Sequence, residues 1–422
     1  MCRHKRMQGY KTMFLPGADH AGIATQMVVE KKLAAEGISK HDLGREKFLD
    51  ACHEWKDDYG ARIWNQVRRL GVSFDWDRMM FTLDEQRTIA VEEAFVQLFE
   101  RKLIFRANRL VNWDCTLKTA ISQLEVEDTE FTKPTKVKVP GYKEDVEFGV
   151  MIDFAYKLKE DPTREIIVST TRIETMLGDT GVAVNPADTR YSDIVGKELI
   201  HPFLPNRKLR IITDEHADMS FGTGAVKVTP AHDKNDFEIG KRADLEFINI
   251  LNGDGTMNEQ CGKYQGMPRY ECRKQIIKDL DELKLYKGKK ANAMNIGFSS
   301  RSKDPIEPMI KPQWYVDCAA IGKELVGIVE NGELELIPPR FNKTWNNFVG
   351  NLEDWCISRQ LWWGHRIPVY LCKVKSDAAH NPSLNDNKDW VAARSEEEAI
   401  AKACLKYGKT ADEIEVKRDE DV

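Results

Sequence analysis

In the segment LGREKFLDACHEWKDDYGARIWNQVRRLG, apolar residues recur every three or four positions. Phe48, Cys52, Trp55, Tyr59, Ile63, Val67 and Leu70 make one stripe, which predicts a long amphipathic helix with its aromatic side chains in a core. Gly71 and the SFDWDR turn end it. Thr82 and Glu85 have capping-box spacing, so a second helix is expected that turns Ala94, Phe95, Leu98 and Phe99 inward. Upstream, KTMFLPGADHAGIATQ runs from an apolar segment through Pro16-Gly17 into Asp19-His20 and a run of small residues. It reads as a buried strand, a tight turn and a helix that opens on a site, where ligands gather in open α/β sheets. Asp19 has two equal readings there, a helix cap or a ligand-binding group.

The texture changes near residue 131. To about residue 305, short alternating and β-branched runs are split by Gly, Pro and Asp. VEFGVMIDFAY, EIIVSTTR, GVAVN, LRIITDE and GAVKVTP are predicted strands. Beyond them, IEPMIKPQWYVDC and NLEDWCISRQLWWGHRIPVYL return to the earlier style. The pattern therefore predicts an α/β domain, residues 1–130 and 306–422, interrupted by a mixed β domain, residues 131–305. The polar stretch KSDAAHNPSLNDNKD carries no structural signal, and Ser395 with Glu398 marks the start of one more amphipathic helix.

Length and composition narrow the class. A chain of 422 residues suits two or three domains. With 41% hydrophobic and 31% charged residues it has the composition of a globular protein. A formal net charge of -5 excludes a surface coated in positive charge, while leaving room for a local basic groove. No apolar run reaches about 18 residues, so no membrane span is predicted. The start, MCRHKRMQGYKTMF, lacks the apolar core of a secretory signal. Nine cysteines are scattered without a Cys-x-x-Cys pair or zinc-finger spacing, which predicts buried free thiols in a reducing compartment.

The chemistry concentrates in two stretches. In GTGAVKVTPAHDKNDFEIG, strand alternation puts Lys227 and Thr229 on one side and Val226 and Val228 on the other. After Pro230, Asp233 and Asp236 are three apart at a helix start and share a face. The helix dipole favours ionised carboxylates there, so their pKa values are expected to stay low, which suits holding an ammonium better than acting as a general acid. The same residues also fit a capped helix beside a salt-bridged lysine. In STTRIETMLGD, an apolar strand leads into Ser169, Thr170, Thr171 and Arg172, with Glu174 and Asp179 close behind. Hydroxyls bind sugars and small polar groups, and arginine binds phosphate or carboxylate in bidentate fashion. Together the stretches would make a polar pocket for an amino-acid ester and a sugar, where a bound water attacks and no protein nucleophile is needed.

The segments LPGADHAGIATQ, RLVNWDCTLKTAISQLEVED, TTRIETMLGDTGVAVNP, GTGAVKVTPAHDKNDFEIGKR, RSKDPIEPMIKPQWYVDC and DWCISRQLWWGHRIP occur in the order found in valyl-tRNA synthetases. The chain resembles that family, in its eukaryotic cytosolic style, over nearly its whole length. Isoleucyl- and leucyl-tRNA synthetases share the plan with different wording in the threonine-rich loop and in TPAHDKNDFE. The resemblance implies an α/β fold: a Rossmann-type class I catalytic domain, here partial, interrupted by a β-rich, barrel-like editing domain. It implies that Asp19 holds the ammonium of valine in the synthetic site, that Trp314 and Trp355 wall the side-chain pocket, and that Ile357 borders it. It implies an editing site in which Arg172, Lys227, Thr229, Asp233 and Asp236 contact a mischarged aminoacyl-adenosine beside Thr170 and Thr171, with Asp236 on the ammonium. Lys227, Thr229 and Asp233 are the groups expected to read a threonine hydroxyl. Valine and threonine are nearly isosteric, and an apolar pocket rejects an added hydroxyl only weakly, hence the need for a second, polar site.

The implied partners are the tRNA for valine, valine, ATP with Mg2+, and threonine as the mischarged substrate, with no membrane and a cytoplasmic location. The sequence also departs from the family. Neither the His-x-Gly-His nor the Lys-Met-Ser-Lys-Ser type of ATP motif occurs, nor do anticodon-binding helices, so the chain is expected to be a fragment that keeps the editing site. Cys115 stands where some relatives carry metal-binding cysteines, but has no cysteine partner near it, and no zinc is expected. The alternatives are a stand-alone aminoacyl-tRNA deacylase and a non-catalytic tRNA-binding relic.

Overall fold

The computed structural model describes residues 1–375 and 381–419; part of the polar stretch after residue 372 lies outside them. The chain divides into two units, residues 1–107 with 312–422, and residues 108–311. Both mix helices with strands. The second starts at 108 and ends at 311, where the sequence pattern suggested 131 and 305. Among the described residues, no helix is long and apolar enough to cross a membrane.

In the first unit, the long helix forms over Arg45–Arg69. Only its N-terminal half is core: Phe48 and Cys52 pack with Val29 and Trp363. Tyr59, Ile63 and Leu70 are exposed, which corrects the expectation that the whole stripe is buried. A regular apolar period shows that a helix is amphipathic, but not how far along it a partner reaches. The second helix is Glu85–Glu100. Its N-cap is Asp84, whose carboxylate accepts the Arg87 N–H at 2.9 Å, so the expected Thr82–Glu85 box is not the cap. Phe95 and Val96 are its buried residues and Ala94 is exposed, a small shift of the predicted face. Ser395 caps Glu396–Tyr407 as expected, and Ala399 and Ala403 lay that helix on the antiparallel strands Val369–Val374, Trp390–Ala392 and Ile414–Arg418.

Trp314 is fully buried, with Phe95, Phe99 and Trp390 ringed around it edge to face. Such contacts favour a fixed packing geometry.

Two of the sheets in the second unit position the site. Val150–Leu158 pairs antiparallel with Glu165–Thr170, Leu199–Ile200 and Tyr286–Ala291. Gly181–Val184 lies between Arg210–Thr213, parallel to it, and Ala225–Val228, antiparallel to it. The helix Lys234–Arg242 follows the last strand after a short turn. It buries Ile239 against Ala183, Ile212 and Val228. Gly240 makes this approach possible: a β-carbon there would sit 2.7 Å from the Pro230 ring. The second half of the helix thereby packs on the turn after the strand that carries Lys227, and the Thr229 N–H joins the helix start to the strand end through Asp236.

Trp314→Ala should cost about 3–5 kcal/mol as a core deletion, whereas a residue that only walled an open pocket would cost within about 0.5 kcal/mol. The denaturant midpoint of the purified variant reads the difference. An unshifted midpoint would return Trp314 to a pocket wall.

Candidate functional site

A cavity of about 230 Å³ opens in the second unit where the strand Glu165–Thr170, the turn after it, the strand Ala225–Val228 and the start of Lys234–Arg242 converge. Of the residues expected in the polar pocket, Thr170, Thr171, Arg172, Lys227, Thr229, Asp233 and Asp236 line it, with Ser169, whereas Glu174 and Asp179 do not. Thr175, His216 and His232 line it as well. No cysteine or serine is set against a histidine base there, and the one serine on the wall, Ser169, donates its proton to Asp153 Oδ1.

Strand alternation brings Lys227 Nζ and Thr229 Oγ1 to one side, 2.5 Å apart. The ammonium also donates to Thr175 Oγ1 at 2.8 Å and to Asp179 Oδ1 at 3.1 Å. Asp179 is completely buried and accepts from the Tyr156 hydroxyl at 2.8 Å and from Thr229 Oγ1. Burial raises its carboxyl above the ordinary value even against the pull of Lys227.

The two helix-start aspartates differ. Asp233 is the N-cap, accepting the N–H groups of Asn235 at 2.8 Å and Asp236 at 3.1 Å. Asp236 accepts the Thr229 N–H at 2.8 Å. Burial pushes Asp236 from an ordinary 3.8 up to about 7, opposed by Lys227 and reinforced by the charge of Asp233. The expectation of a low pKa is therefore corrected for Asp236. The helix dipole acts on it, but desolvation outweighs a surface-scale dipole effect of about 1 kcal/mol or less.

Arg172 forms the other wall. Its guanidinium donates to the His232 carbonyl at 3.0 Å and pairs with Glu307. Glu174 lies 3.6 Å from it and takes two bonds of 2.8 Å from Arg273. Burial alone would raise the Glu174 carboxyl, but Arg273 and then Arg172 hold it at about 2. Thr170 Oγ1 accepts the Arg172 N–H at 3.0 Å, which ties the threonine turn to the arginine. His232 accepts the Ile250 N–H on Nε2 at 3.0 Å, and burial followed by the Arg172 charge lowers it to about 3, so the ring is neutral. Tyr156 and Thr175 carried no signal of their own in the sequence. Tyr156 is one of several apolar-facing positions in a strand, and Thr175 stands one helical turn past the threonine run.

The residues expected in a synthetic site belong to the first unit and are not gathered in one cavity among those described. Asp19 is largely exposed, with Oδ1 3.3 Å from His20 Nδ1 and accepting from Thr82 Oγ1 at 3.5 Å. It does not cap the following helix: Ala21, in the left-handed region, is that N-cap. Thr82 accepts the His20 N–H at 2.9 Å, and Trp363 Nε1 donates to the His20 carbonyl at 2.8 Å. Trp314 is in the core, Trp355 is exposed, and the Ile357 N–H donates to the Trp314 carbonyl at 2.9 Å. Among the described residues no three His, Cys, Asp or Glu side chains are grouped as metal ligands would be.

The family profile described as tRNA synthetases class I (I, L, M and V) matches residues 1–422. A valine--tRNA ligase of Caenorhabditis elegans is 51% identical over the whole chain, which covers 40% of that protein. One of Homo sapiens is 49% identical over the whole chain, covering 34% of its own length. A mitochondrial valine--tRNA ligase of Saccharomyces cerevisiae is 50% identical over the whole chain and 38% covered. The chain thus spans between about a third and two fifths of the length of these relatives.

The position of Asp236 has a consequence for stability. Below about pH 4 it is protonated in both folded and unfolded chains. Between about 4 and 7 the folded state keeps a proton that the unfolded chain has shed, so stability falls as pH rises; above about 7 the slope vanishes. Relative to Asp236→Asn, the wild type should lose stability across that window, on the order of 4 kcal/mol for about three pH units at about 1.4 kcal/mol each. Denaturation of both proteins from pH 4 to 8 tests this. Parallel curves would mean that Asp236 titrates like an exposed carboxylate.

Proposed function

The chain belongs to the class I tRNA synthetases of the isoleucine, leucine, methionine and valine group, and from that premise we propose that it is part of a valine–tRNA ligase whose cavity hydrolyses threonine mischarged onto the valine tRNA. The observation that carries the reading is the identity of about half its residues to valine--tRNA ligases along its whole length. On this reading the unit of residues 108–311 is the editing domain, and the other unit is the Rossmann-type synthetic domain. Asp19, Trp355 and Ile357 are proposed to serve valine there, with Trp314 part of the core. ATP with Mg2+, valine and the valine tRNA are the proposed substrates of the whole protein, and the cytoplasm is its proposed location.

The cavity supports the hydrolytic half of the proposal chemically. An aminoacyl ester brings an ammonium, a carbonyl and a ribose. On this reading the Asp236 carboxylate takes the ammonium, whose charge favours the ionised form when bound. Thr229, Lys227 and Asp233, which line the cavity, then take the amino-acid side chain, and Arg172 with Thr170 and Thr171 take the ribose. A water oxygen bonds to the carbonyl carbon, the ester C–O bond breaks, and the ribose oxygen leaves with a proton. Positioning is what the protein contributes.

Asp236→Ala should lower the hydrolysis of threonyl-tRNA of the valine acceptor by about a hundredfold, since a misplaced carbonyl costs that much. In the wild type, kcat/KM should rise as pH passes about 7, because that parameter reports the free protein's ionised Asp236. Release of labelled threonine, with valyl-tRNA as control, measures both. A mutant that melts earlier but hydrolyses threonyl-tRNA at the wild-type rate would reduce Asp236 to a structural residue.

A further inference from the structure

The directions of the hydrogen bonds beneath the cavity are forced by chemistry. An ammonium only donates, and a carboxylate or a backbone carbonyl only accepts. The three protons of Lys227 Nζ are matched by three acceptors, Thr175 Oγ1, Asp179 Oδ1 and Thr229 Oγ1. Thr229 receives one of them, so its own proton goes to Asp179 Oδ1. Thr175 receives another, and its own proton goes to the Arg172 carbonyl at 2.9 Å. Every proton of these three groups is therefore spent inside the protein. What they have left to offer a ligand is lone pairs on Thr229 and Thr175.

From this we propose that Asp179, which lies below the cavity and does not line it, is a positioning residue that turns the cavity floor into a reader of hydroxyl donors. Resting on the editing reading above, the inference adds how the β-hydroxyl of the ester is told from a methyl: it is bound as a donor. Asp179 holds the Thr229 proton away from the cavity and occupies one Lys227 proton. The Tyr156 hydroxyl, on Oδ2, keeps the carboxylate turned this way. A methyl group in the same place as the ligand hydroxyl would leave buried lone pairs without a donor, an asymmetry that costs more than a missing apolar contact. Without Asp179, Thr229 is free to point its proton into the cavity and Lys227 to offer one of its own, so acceptors and donors would no longer be told apart.

The test uses the ratio of kcat/KM for threonyl- and valyl-tRNA of the valine acceptor. Asp179→Ala should lower that ratio about tenfold, the size of losing a hydrogen bond to a charged group. Asp179→Asn, which keeps an acceptor oxygen facing Lys227, should restore most of it. A purely structural role would slow both esters by one factor, so an unchanged ratio in the alanine variant overturns the inference. If that variant does not fold, wild-type protein with non-hydrolysable aminoacyl-adenosine amides decides. The β-hydroxyl ligand should bind at least about tenfold tighter than its β-fluoro counterpart, and equal binding overturns the proposal. A wild type that releases threonine no faster than valine removes the editing reading itself. A wild type that prefers threonine, with an alanine variant that keeps the preference, removes only the role of Asp179.

Discussion

A buried ammonium is the constraint around which the candidate site is organised. Lys227 is almost inaccessible to water, and a charge in that position persists only if its lost hydration is replaced. Three acceptors replace it, and they come from three different places in the chain: the turn after Glu165–Thr170, the approach to Gly181–Val184, and the end of its own strand. The pairing of Gly181–Val184 with Ala225–Val228 brings these together, since Val182 lies opposite Lys227. Gly178 lets the turn close on Thr229, whose methyl would be 3.1 Å from a β-carbon at that position. Removing one partner would strand the other charge, which in comparable cases costs about 3–5 kcal/mol. The polar floor of the cavity and the tight turn behind it are thus two results of one requirement.

The wall opposite follows the same logic with more members. Arg172, Glu307, Arg269 and Asp304 form a chain of ion pairs, and Glu174 with Arg273 joins it at Arg172. Most of these groups are buried. Such pairs add little net stability over an apolar core, because desolvation cancels much of their attraction. Their effect is on geometry: Arg172, which lines the cavity, is held in place by a carboxylate and a carbonyl at once. A planar guanidinium held in this way is suited to recognising an anionic or polyhydroxyl group.

Local arrangement was legible in the sequence wherever a short-range period set it. Lys227 and Thr229 share a side because strand residues two apart must, and Asp233 and Asp236 share a helix face because residues three apart do. The clustering of TTR with these residues was legible from chemistry. The degree of burial was not. Nothing in KNDFEIG says that the helix will pack so closely on the strand and its following turn, yet Asp236 is buried there, and burial moves its pKa by more than the dipole can. The same limit appears in the helix Arg45–Arg69, where an even apolar stripe is half covered and half exposed. It appears again at Trp314, whose surroundings are assembled from segments far apart in sequence. Tyr156 and Thr175 were silent because their roles depend on which neighbour the fold supplies.

The two aspartates at the helix start show how a structural group and a ligand group can stand three residues apart without interchange. Asp233 already accepts two backbone N–H groups, which answers the helix's unsatisfied donors. Asp236 is relieved of that duty. It accepts a single N–H, from Thr229, and is otherwise surrounded by a medium that disfavours its charge. A carboxylate in that state is stabilised by an arriving cation more than a well-solvated one would be, because less water is given up when the pair forms. Exchanging the roles would fail on both counts: a capping carboxylate is already compensated, and an uncapped helix start would compete for any oxygen within reach. The spacing Asp-x-x-Asp thus separates the residue that builds the site from the residue left available to use it.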